Sequence, residues 1–164
     1  MIEPELTMME EFYAVGYTFP GPEGQFNAMD NAGYWGGQDF GSVSAEEYAS
    51  LADANWGEVA TWVRFSNKGE TPYYFFGPIV TEKKPVPKGM VPVRFPGAVY
   101  AAFEVPHFES GEEMRKIVSR MWQEDILPWI ANSVTRPDPK ARCFEYYMGD
   151  KCYIYVPVES KVSK

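Results

Sequence analysis

The sequence has few of the residues on which common catalytic schemes depend. Its 164 residues include one histidine, His107, and two cysteines, Cys143 and Cys152. A single histidine argues against both a Ser-His-Asp triad and a histidine-based metal site. The cysteines lack CxxC spacing, and a chain of this length folds without disulfides, so we expect free thiols. No glycine-rich phosphate loop with a trailing lysine occurs, and we expect neither a metal nor another cofactor.

Basic residues and long apolar runs are also scarce. Lys and Arg total 15 against 23 Asp and Glu, which gives a formal net charge of -8. Nucleic-acid binding needs clustered Lys and Arg, so this charge argues against direct contact with DNA or RNA and favours cationic or neutral ligands. Residues 1–12 are acidic where a secretory signal is basic, and no apolar run reaches transmembrane length. We therefore expect a cytoplasmic protein that does not bind membranes.

Aromatic residues are abundant. They make up 16% of the chain, with 5 Trp, 11 Tyr and 11 Phe, and 45% of all residues are hydrophobic. This much rigid π-surface favours a pocket for flat ligands, and an aromatic-rich core is the alternative. The length and the hydrophobic content predict one domain over residues 1–164.

The same kind of unit occurs twice along the chain. A strand pattern at 12–19, and again at 99–105, is followed by a helix that opens on a capping box, Ser44 to Glu47 and Ser110 to Glu113. Two further strands close each copy, at 71–80 and 90–95 in the first and at 142–148 and 151–158 in the second. The order β-α-β-β, repeated, predicts an α+β domain with an antiparallel sheet and two main helices.

The two predicted helices differ in regularity. The second has a single apolar stripe that Pro128 ends or kinks. In the first, the stripe that starts at Tyr48 is interrupted at Asn55 and Gly57 and then resumes in the same helix, with a bend or break expected near Asn55. The residues of the resumed stripe are Trp56, Val59, Trp62 and Val63.

One long segment, residues 20–43, belongs to neither copy. It is rich in Gly and Asn and carries Tyr34 and Trp35. Long irregular segments inside compact domains are usually functional, which suggests a lid over a ligand. The alternative is an Ω-loop whose rings are pinned to the core.

Several runs together resemble one family: YYFFGPIV, VPKGMVPVRFPGAVYAAFEV, MWQEDILPWIANS, CFEYY and YIYVPV. They are similar to the GyrI-like, AraC effector-binding family over nearly the whole chain. MDNAGYWGGQDFGSVSAEEY and NWGEVATWV resemble its stand-alone, single-domain branch. The resemblance implies a duplicated unit and a central cleft that binds hydrophobic, often aromatic and cationic compounds, anchored by a buried glutamate. Because Phe12 already belongs to the first strand, we expect no attached DNA-binding domain.

Glu145 in CFEYY matches the position of the family's glutamate, in the penultimate strand. A two-residue turn at Gly149 and Asp150 would pair Tyr147 with Cys152 and Glu145 with Ile154. Glu145 would then lie on an apolar strand face, where we expect desolvation to raise its pKa. The alternatives are that Arg142, Arg94 or a tyrosine hydroxyl satisfies it as a bond internal to the fold, or that it lies on an exposed edge.

Glu145 and Tyr147 are the candidate catalytic residues, and Tyr100 is a second choice for the hydroxyl donor. We expect stacking of a delocalised cation between aromatic rings around the carboxylate. The candidate ligand-binding residues are Glu145, Tyr34, Trp35, Trp56, Trp62, Tyr74, Phe76, Tyr100 and Tyr147.

Three functions remain open from the sequence. The first is binding of an aromatic, amphipathic or cationic xenobiotic. The second, known among stand-alone relatives, is hydrolysis of cyclopropane-bearing DNA-alkylating toxins, with Glu145 positioning or activating water. The third is an inhibitory protein-interaction module, since the acidic chain fits a basic partner.

Overall fold

Nine β-strands and one long helical segment build the part of the chain that the computed structural model describes, residues 2–20, 50–51, 56–63, 73–81, 86–87 and 90–161. The strands are β1 (Glu5–Met9), β2 (Phe12–Pro20), β3 (Glu58–Val63), β4 (Tyr73–Val80), β5 (Val91–Phe95), β6 (Ala98–Glu104), β7 (Thr135–Pro137), β8 (Phe144–Met148) and β9 (Lys151–Ser160). The helical segment comprises α1 (Gly111–Met121), a π-helical segment (Trp122–Ile126) and α2 (Leu127–Asn132). The chain divides into two compact units.

Unit 1 contains residues 1–11 and 95–164. Its strands lie in the order β1-β6-β9-β8, all paired antiparallel, and β7 pairs with the end of β9. Alternation along β9 buries Cys152, Ile154 and Val156 on one face. The helical segment contacts that same face, where Phe103 of β6 meets Trp129 of α2 edge-to-face at 5.8 Å between ring centroids.

The predicted capping box is present at the start of α1, with one difference. Ser110 Oγ accepts a hydrogen bond from Glu113 N at 3.1 Å, as predicted. Glu113 Oε2 accepts from Glu109 N at 2.8 Å, whereas the sequence pattern predicts a bond to the cap residue itself. The first bond satisfies a backbone donor that the helix start leaves without a partner in the helix, and the second satisfies the backbone donor of the residue before the cap.

Replacing Ser110 by alanine is expected to lower the free energy of unfolding by about 1 kcal/mol, because Glu113 N loses its acceptor. Urea unfolding followed by circular dichroism measures this change. Ser119→Ala, at an exposed position inside α1, is the control and should change the free energy by less than about 0.5 kcal/mol.

The predicted helix stripe is also present, since Met114, Ile117 and Met121 are buried along α1. Pro128 neither ends the helical segment nor stands alone as a kink. The π-helical segment ends at Ile126, and α2 then begins at Leu127 with Pro128 in its first turn. A proline removes one backbone donor and crowds the carbonyl four residues earlier, and the wider π-turn accommodates this.

Unit 2 contains residues 12–94, with strand order β3-β4-β2-β5. Ser50 and Leu51 are helical, and Leu51 packs against Val15 and Met90. The prediction that the first helix resumes after Asn55 is wrong, because Glu58–Val63 is the strand β3 and pairs with β4.

The physical reason for this error is that residues 58–63 fit two periodicities. Val59, Trp62 and Val63 have helical spacing, but Val59, Thr61 and Val63 are β-branched residues at every second position. Pairing with β4 buries Val59, Ala60 and Thr61 on both faces of the strand. Burial on two faces favours the strand over a helix with one apolar stripe.

Two glycines allow β2 and β4 to approach each other closely. A Cβ on Gly16 would lie 2.0 Å from the Phe76 carbonyl oxygen, and a Cβ on Gly77 would lie 2.2 Å from the Val15 carbonyl oxygen. Both distances are shorter than any real contact, so no other residue fits without a shift of backbone.

The α+β class predicted from the sequence is confirmed. The second main helix and the duplicated unit stay predictions, because the Ser44 capping box lies outside the described residues. No described helix has both the length and the apolar character needed to cross a membrane.

Candidate functional site

The site is built on the β8–β9 hairpin. Residues Gly149 and Asp150 form its two-residue turn, and Gly149 has a φ of 62°, a left-handed conformation that favours glycine. The register pairs Tyr147 with Cys152 and Glu145 with Ile154, as predicted. The hairpin thereby fixes which face of the sheet carries the carboxylate.

Glu145 and Tyr147 lie on the face that the helical segment covers. Tyr147 is buried, and its hydroxyl lies 3.7 Å from the Met114 sulphur of α1. Glu145 is half-buried and lies opposite the buried Ile154. The carboxylate therefore stands on a largely apolar surface made by β8, β9 and α1.

Tyr147 also donates a short hydrogen bond from its hydroxyl to Glu145 Oε2. A hydrogen bond to an ionised carboxylate is stronger than one between neutral groups. A tyrosine hydroxyl is thus a partner of Glu145, one of the arrangements that the sequence left open. The bond fixes one carboxylate oxygen, and this pair can hold a cation or pass a proton.

The negative charge of Glu145 affects the pKa of both cysteines. Burial, followed by the charge of Glu145, raises the pKa of the Cys143 thiol to about 12. The same two causes raise the pKa of Cys152, and a hydrogen bond with Tyr147 acts in the opposite direction. Both cysteines are free thiols, as predicted, and neither has thiolate character at neutral pH.

Alkylation by iodoacetamide at pH 8 is expected to be at least about tenfold slower for Cys143 and Cys152 than for a free thiol, because the thiolate is the reactive form. Glu145→Gln removes the second cause of the raised pKa values and should speed alkylation of both. Peptide mass spectrometry over time measures the two rates. Fast alkylation of the folded wild type would contradict the raised pKa values, and full reactivity in urea is the control.

Tyr100 lies on the opposite face of the sheet from Glu145. The β6–β9 register aligns Tyr100 with Pro157 and Ala102 with Tyr155. Successive side chains alternate between the two faces of the sheet, so these four residues lie on the face opposite to Ile154. Its hydroxyl donates to the Pro96 carbonyl at 3.3 Å. Burial is the main cause that raises the pKa of the Tyr100 hydroxyl to about 12, and the negative charge of Asp138 is the second cause. The structure therefore does not bring Tyr100 to the Glu145–Tyr147 pair.

Tyr100 belongs instead to an aromatic cluster on that opposite face. Its ring meets Phe144 edge-to-face at 5.2 Å, and Phe144 stacks on Tyr155 at 5.0 Å between centroids. Tyr146 contacts the same Tyr155 ring at 5.6 Å. One face of β8 therefore carries the hydrogen-bonded pair Glu145 and Tyr147, and the other face carries the aromatic residues Phe144 and Tyr146.

The predicted aromatic residues of unit 2 fall into two groups. Trp62, Tyr74 and Phe76 share one face of β3 and β4, and the Trp62 and Tyr74 rings lie 5.1 Å apart. Tyr74 and Phe76 are buried, whereas Trp62 is 40% exposed. Trp56 precedes β3 and is 42% exposed, so only the two tryptophans offer open ring surface in this set.

Other predicted features of the site have different outcomes. Tyr34 and Trp35 lie outside the described residues. His107 is an exposed residue before α1 and lies 2.7 Å from Glu109, consistent with a loop position. Within the described ranges, no three His, Cys, Asp or Glu side chains are grouped so that they could hold a metal ion.

Met114 is the site residue that sequence reasoning missed. It lies on the apolar stripe of α1 and is fully buried, so its spacing indicates only a core residue. The contact with Tyr147 brings a polarisable thioether beside the hydroxyl. Only the packing of α1 on β8 reveals this, because residues 114 and 147 are far apart in sequence.

No model of a known protein family matches the chain, and no curated protein matches it in sequence. Solved structures do match. SAV2435 bound to tetraphenylphosphonium is 15% identical, with a TM-score of 0.67, and the match covers 96% of this chain and 94% of that one. A candidate bacterial transcription regulation protein of Staphylococcus aureus MU50 is 16% identical, with a TM-score of 0.62, covering 98% and 100%. The EcmrR C-terminal domain is 11% identical, with a TM-score of 0.59, covering 98% and 99%.

These similarities define the fold. The chain shares its architecture with SAV2435 and with the C-terminal domain of EcmrR over nearly its full length. This agrees with the GyrI-like effector-binding fold that the sequence motifs imply.

Proposed function

We propose that this protein binds a hydrophobic, aromatic cation, with Glu145 as the anchor of the positive charge. The observation that carries the proposal is the carboxylate of Glu145 on an apolar face, held by the Tyr147 hydroxyl. A carboxylate in such surroundings is poorly solvated, so an incoming cation gains more from it than from an exposed acid.

The arrangement suits a large, diffuse cation better than a small one. The Tyr147 bond occupies one carboxylate oxygen and holds its orientation before a ligand arrives, which lowers the entropy lost on binding. The nearby groups are a thioether, a phenol and aliphatic chains, which attract a polarisable, apolar cation. Small ions such as Mg²⁺ prefer several oxygen ligands, and no three His, Cys, Asp or Glu side chains among the described residues are grouped to supply them.

The structural neighbour SAV2435 supports the same chemistry, since it was solved with tetraphenylphosphonium, a cation surrounded by aromatic rings. Trp56 and Trp62, which have exposed ring surface, are proposed as additional stacking surfaces together with Tyr34 and Trp35, on the basis of the sequence alone.

The proposal is tested by titrating the protein with tetraphenylphosphonium and with triphenylphosphine oxide, a neutral compound with similar rings. We expect the cation to bind at least about tenfold more tightly, because only it gains from the carboxylate. Isothermal titration calorimetry at two salt concentrations measures both affinities. Equal affinity for the two compounds would show that Glu145 does not distinguish a cation from a neutral compound.

A second candidate function, hydrolysis of cyclopropane-bearing toxins, is favoured by the hydroxyl that lies directly beside the carboxylate. Glu145 would take a proton from water while the water oxygen attacks a cyclopropane carbon. The ring C–C bond breaks, its electrons pass to the conjugated carbonyl, and the carbonyl oxygen takes the Tyr147 proton. Glu145 then returns its proton to Tyr147, so the sum is the addition of one water.

Mass spectrometry of a duocarmycin-type compound incubated with catalytic amounts of protein distinguishes the two functions. Multiple turnovers by the wild type that fall at least about tenfold in Tyr147→Phe would favour the enzyme. The matched control is Tyr146→Phe, which removes a hydroxyl from the opposite face of the same strand. Protection that never exceeds one compound per chain would favour binding alone.

A further inference from the structure

The strand β1 presents an apolar sheet edge. It pairs with β6 over five consecutive residue pairs, Glu5–Ala102 to Met9–Ala98, and none of the described strands pairs with its other side. Leu6 is 57% exposed and Met8 is 77% exposed. These two side chains point to the same face of the sheet, because they are two residues apart.

Proline, lysine and β-bulges, three devices that keep sheet edges from pairing, do not occur within this edge. β1 has the sequence ELTMM, with no proline and no lysine, and its register with β6 contains no bulge. A regular, apolar edge of this kind is a ready template for another extended chain. The backbone groups on its outer side are arranged to accept and donate hydrogen bonds to such a strand.

Negative charge surrounds the edge on both ends. Glu3, Glu5, Glu10 and Glu11 are all exposed, and residues 1–20 contain no Lys or Arg. An approaching strand with acidic ends would be repelled, and one with basic ends would be attracted, by charges within a few residues of the pairing region. The edge therefore selects its partner by charge as well as by shape.

We propose that β1 binds an extended segment of another protein, with apolar residues at alternate positions and Lys or Arg at both ends, as an added strand. Main-chain hydrogen bonds along β1 supply affinity, Leu6 and Met8 pack against the alternate apolar side chains, and the four glutamates pair with the basic ends. This interaction is separate from the proposed ligand site, because β6 and β9 lie between β1 and β8 in unit 1.

A second copy of the chain fits this edge less well. Antiparallel pairing of two β1 strands about Thr7 would place Leu6 opposite Met8, which is favourable. The same register would place Glu3 of each copy opposite Glu11 of the other, and both chains carry a net charge of -8. Like charges directly opposite each other destabilise a strand pair.

The probe is a blocked, fluorescent peptide of about nine residues, with valine and threonine alternating at its centre and two lysines at each end, a length that matches β1 and its flanks. The control peptide has glutamates in place of the lysines. We expect fluorescence anisotropy to show binding of the basic peptide that weakens at least about tenfold at high salt, and no binding of the acidic peptide.

Two variants locate the binding on β1. The double substitution Leu6→Lys and Met8→Lys alters exposed side chains and should weaken binding at least about tenfold, whereas Val134→Lys, at a 75% exposed position beyond α2, should not. Glu5→Gln with Glu10→Gln keeps the edge intact and should reduce the salt dependence. Undiminished binding to the lysine double variant, or equal binding of the acidic peptide, would overturn the proposal. So would a wild-type dimer in sedimentation equilibrium that these lysines dissociate, because the edge would then belong to a second copy.

Discussion

Replacing Glu145 by glutamine is expected to weaken tetraphenylphosphonium binding by about ten- to hundredfold, which corresponds to about 1.4 to 2.8 kcal/mol. The substitution removes the negative charge and keeps the shape of the side chain, and an amide oxygen can still accept from the Tyr147 hydroxyl. Two unit charges near a protein surface attract by several kcal/mol, and partial exposure of Glu145 reduces this contribution. Titration calorimetry of the wild type and the variant measures the change.

The matched control for Glu145→Gln is Glu104→Gln. Glu104 lies on β6, is exposed, and faces the side of the sheet opposite to Glu145. Both substitutions change the net charge by the same amount, so a general effect of acidity on cation binding would appear in both. Equal losses in the two variants would contradict a specific role for Glu145, and the affinity for triphenylphosphine oxide should not change in either.

The Gly77→Ala variant is expected to lose about 3 kcal/mol of folding stability, because the new Cβ would lie 2.2 Å from the Val15 carbonyl oxygen. A backbone atom cannot rotate away as a side chain can, so β2 and β4 must separate locally and their hydrogen bonds must lengthen. For a chain of this size, the loss corresponds to a decrease in melting temperature of roughly 6 to 12 °C. Differential scanning calorimetry measures it.

Gly149→Asn serves as the control for Gly77→Ala. Nothing lies within 4 Å of a Cβ at Gly149, and its φ of 62° is one that asparagine tolerates. Its melting temperature should therefore stay within about 4 °C of the wild type. If Gly77→Ala were as stable as Gly149→Asn, the close approach of β2 and β4 would not exist in solution.

The β8–β9 hairpin is the part of the site that sequence reasoning predicted best. A two-residue turn determines the register of its strands, and the period of two then places Glu145 and Tyr147 on one face. Local rules suffice there because each contact joins residues close in sequence. Met114 and Tyr147 are joined by packing of α1 on the sheet, and no local rule predicts that contact.

Tyr100 and residues 58–63 illustrate why the rest of the site could not be predicted. The side of the sheet on which Tyr100 lies depends on how β6 pairs with β9, a long-range register that no turn specifies. Residues 58–63 satisfy both a helical and a strand periodicity, and pairing with β4 decides between them. In both cases the missing information is which distant strand becomes the neighbour.

The π-helical segment sets the rotational phase of α2. One additional residue per turn rotates everything that follows it by about 100° relative to a continuous α-helix. This rotation is what turns Trp129 toward Phe103 after the stripe of Met114, Ile117 and Met121. A homologue one residue shorter at 122–126, with a continuous α-helix there, would keep the same side of α2 toward the sheet. A homologue of equal length without the π-turn would instead turn the residue at the position of Trp129 away from Phe103.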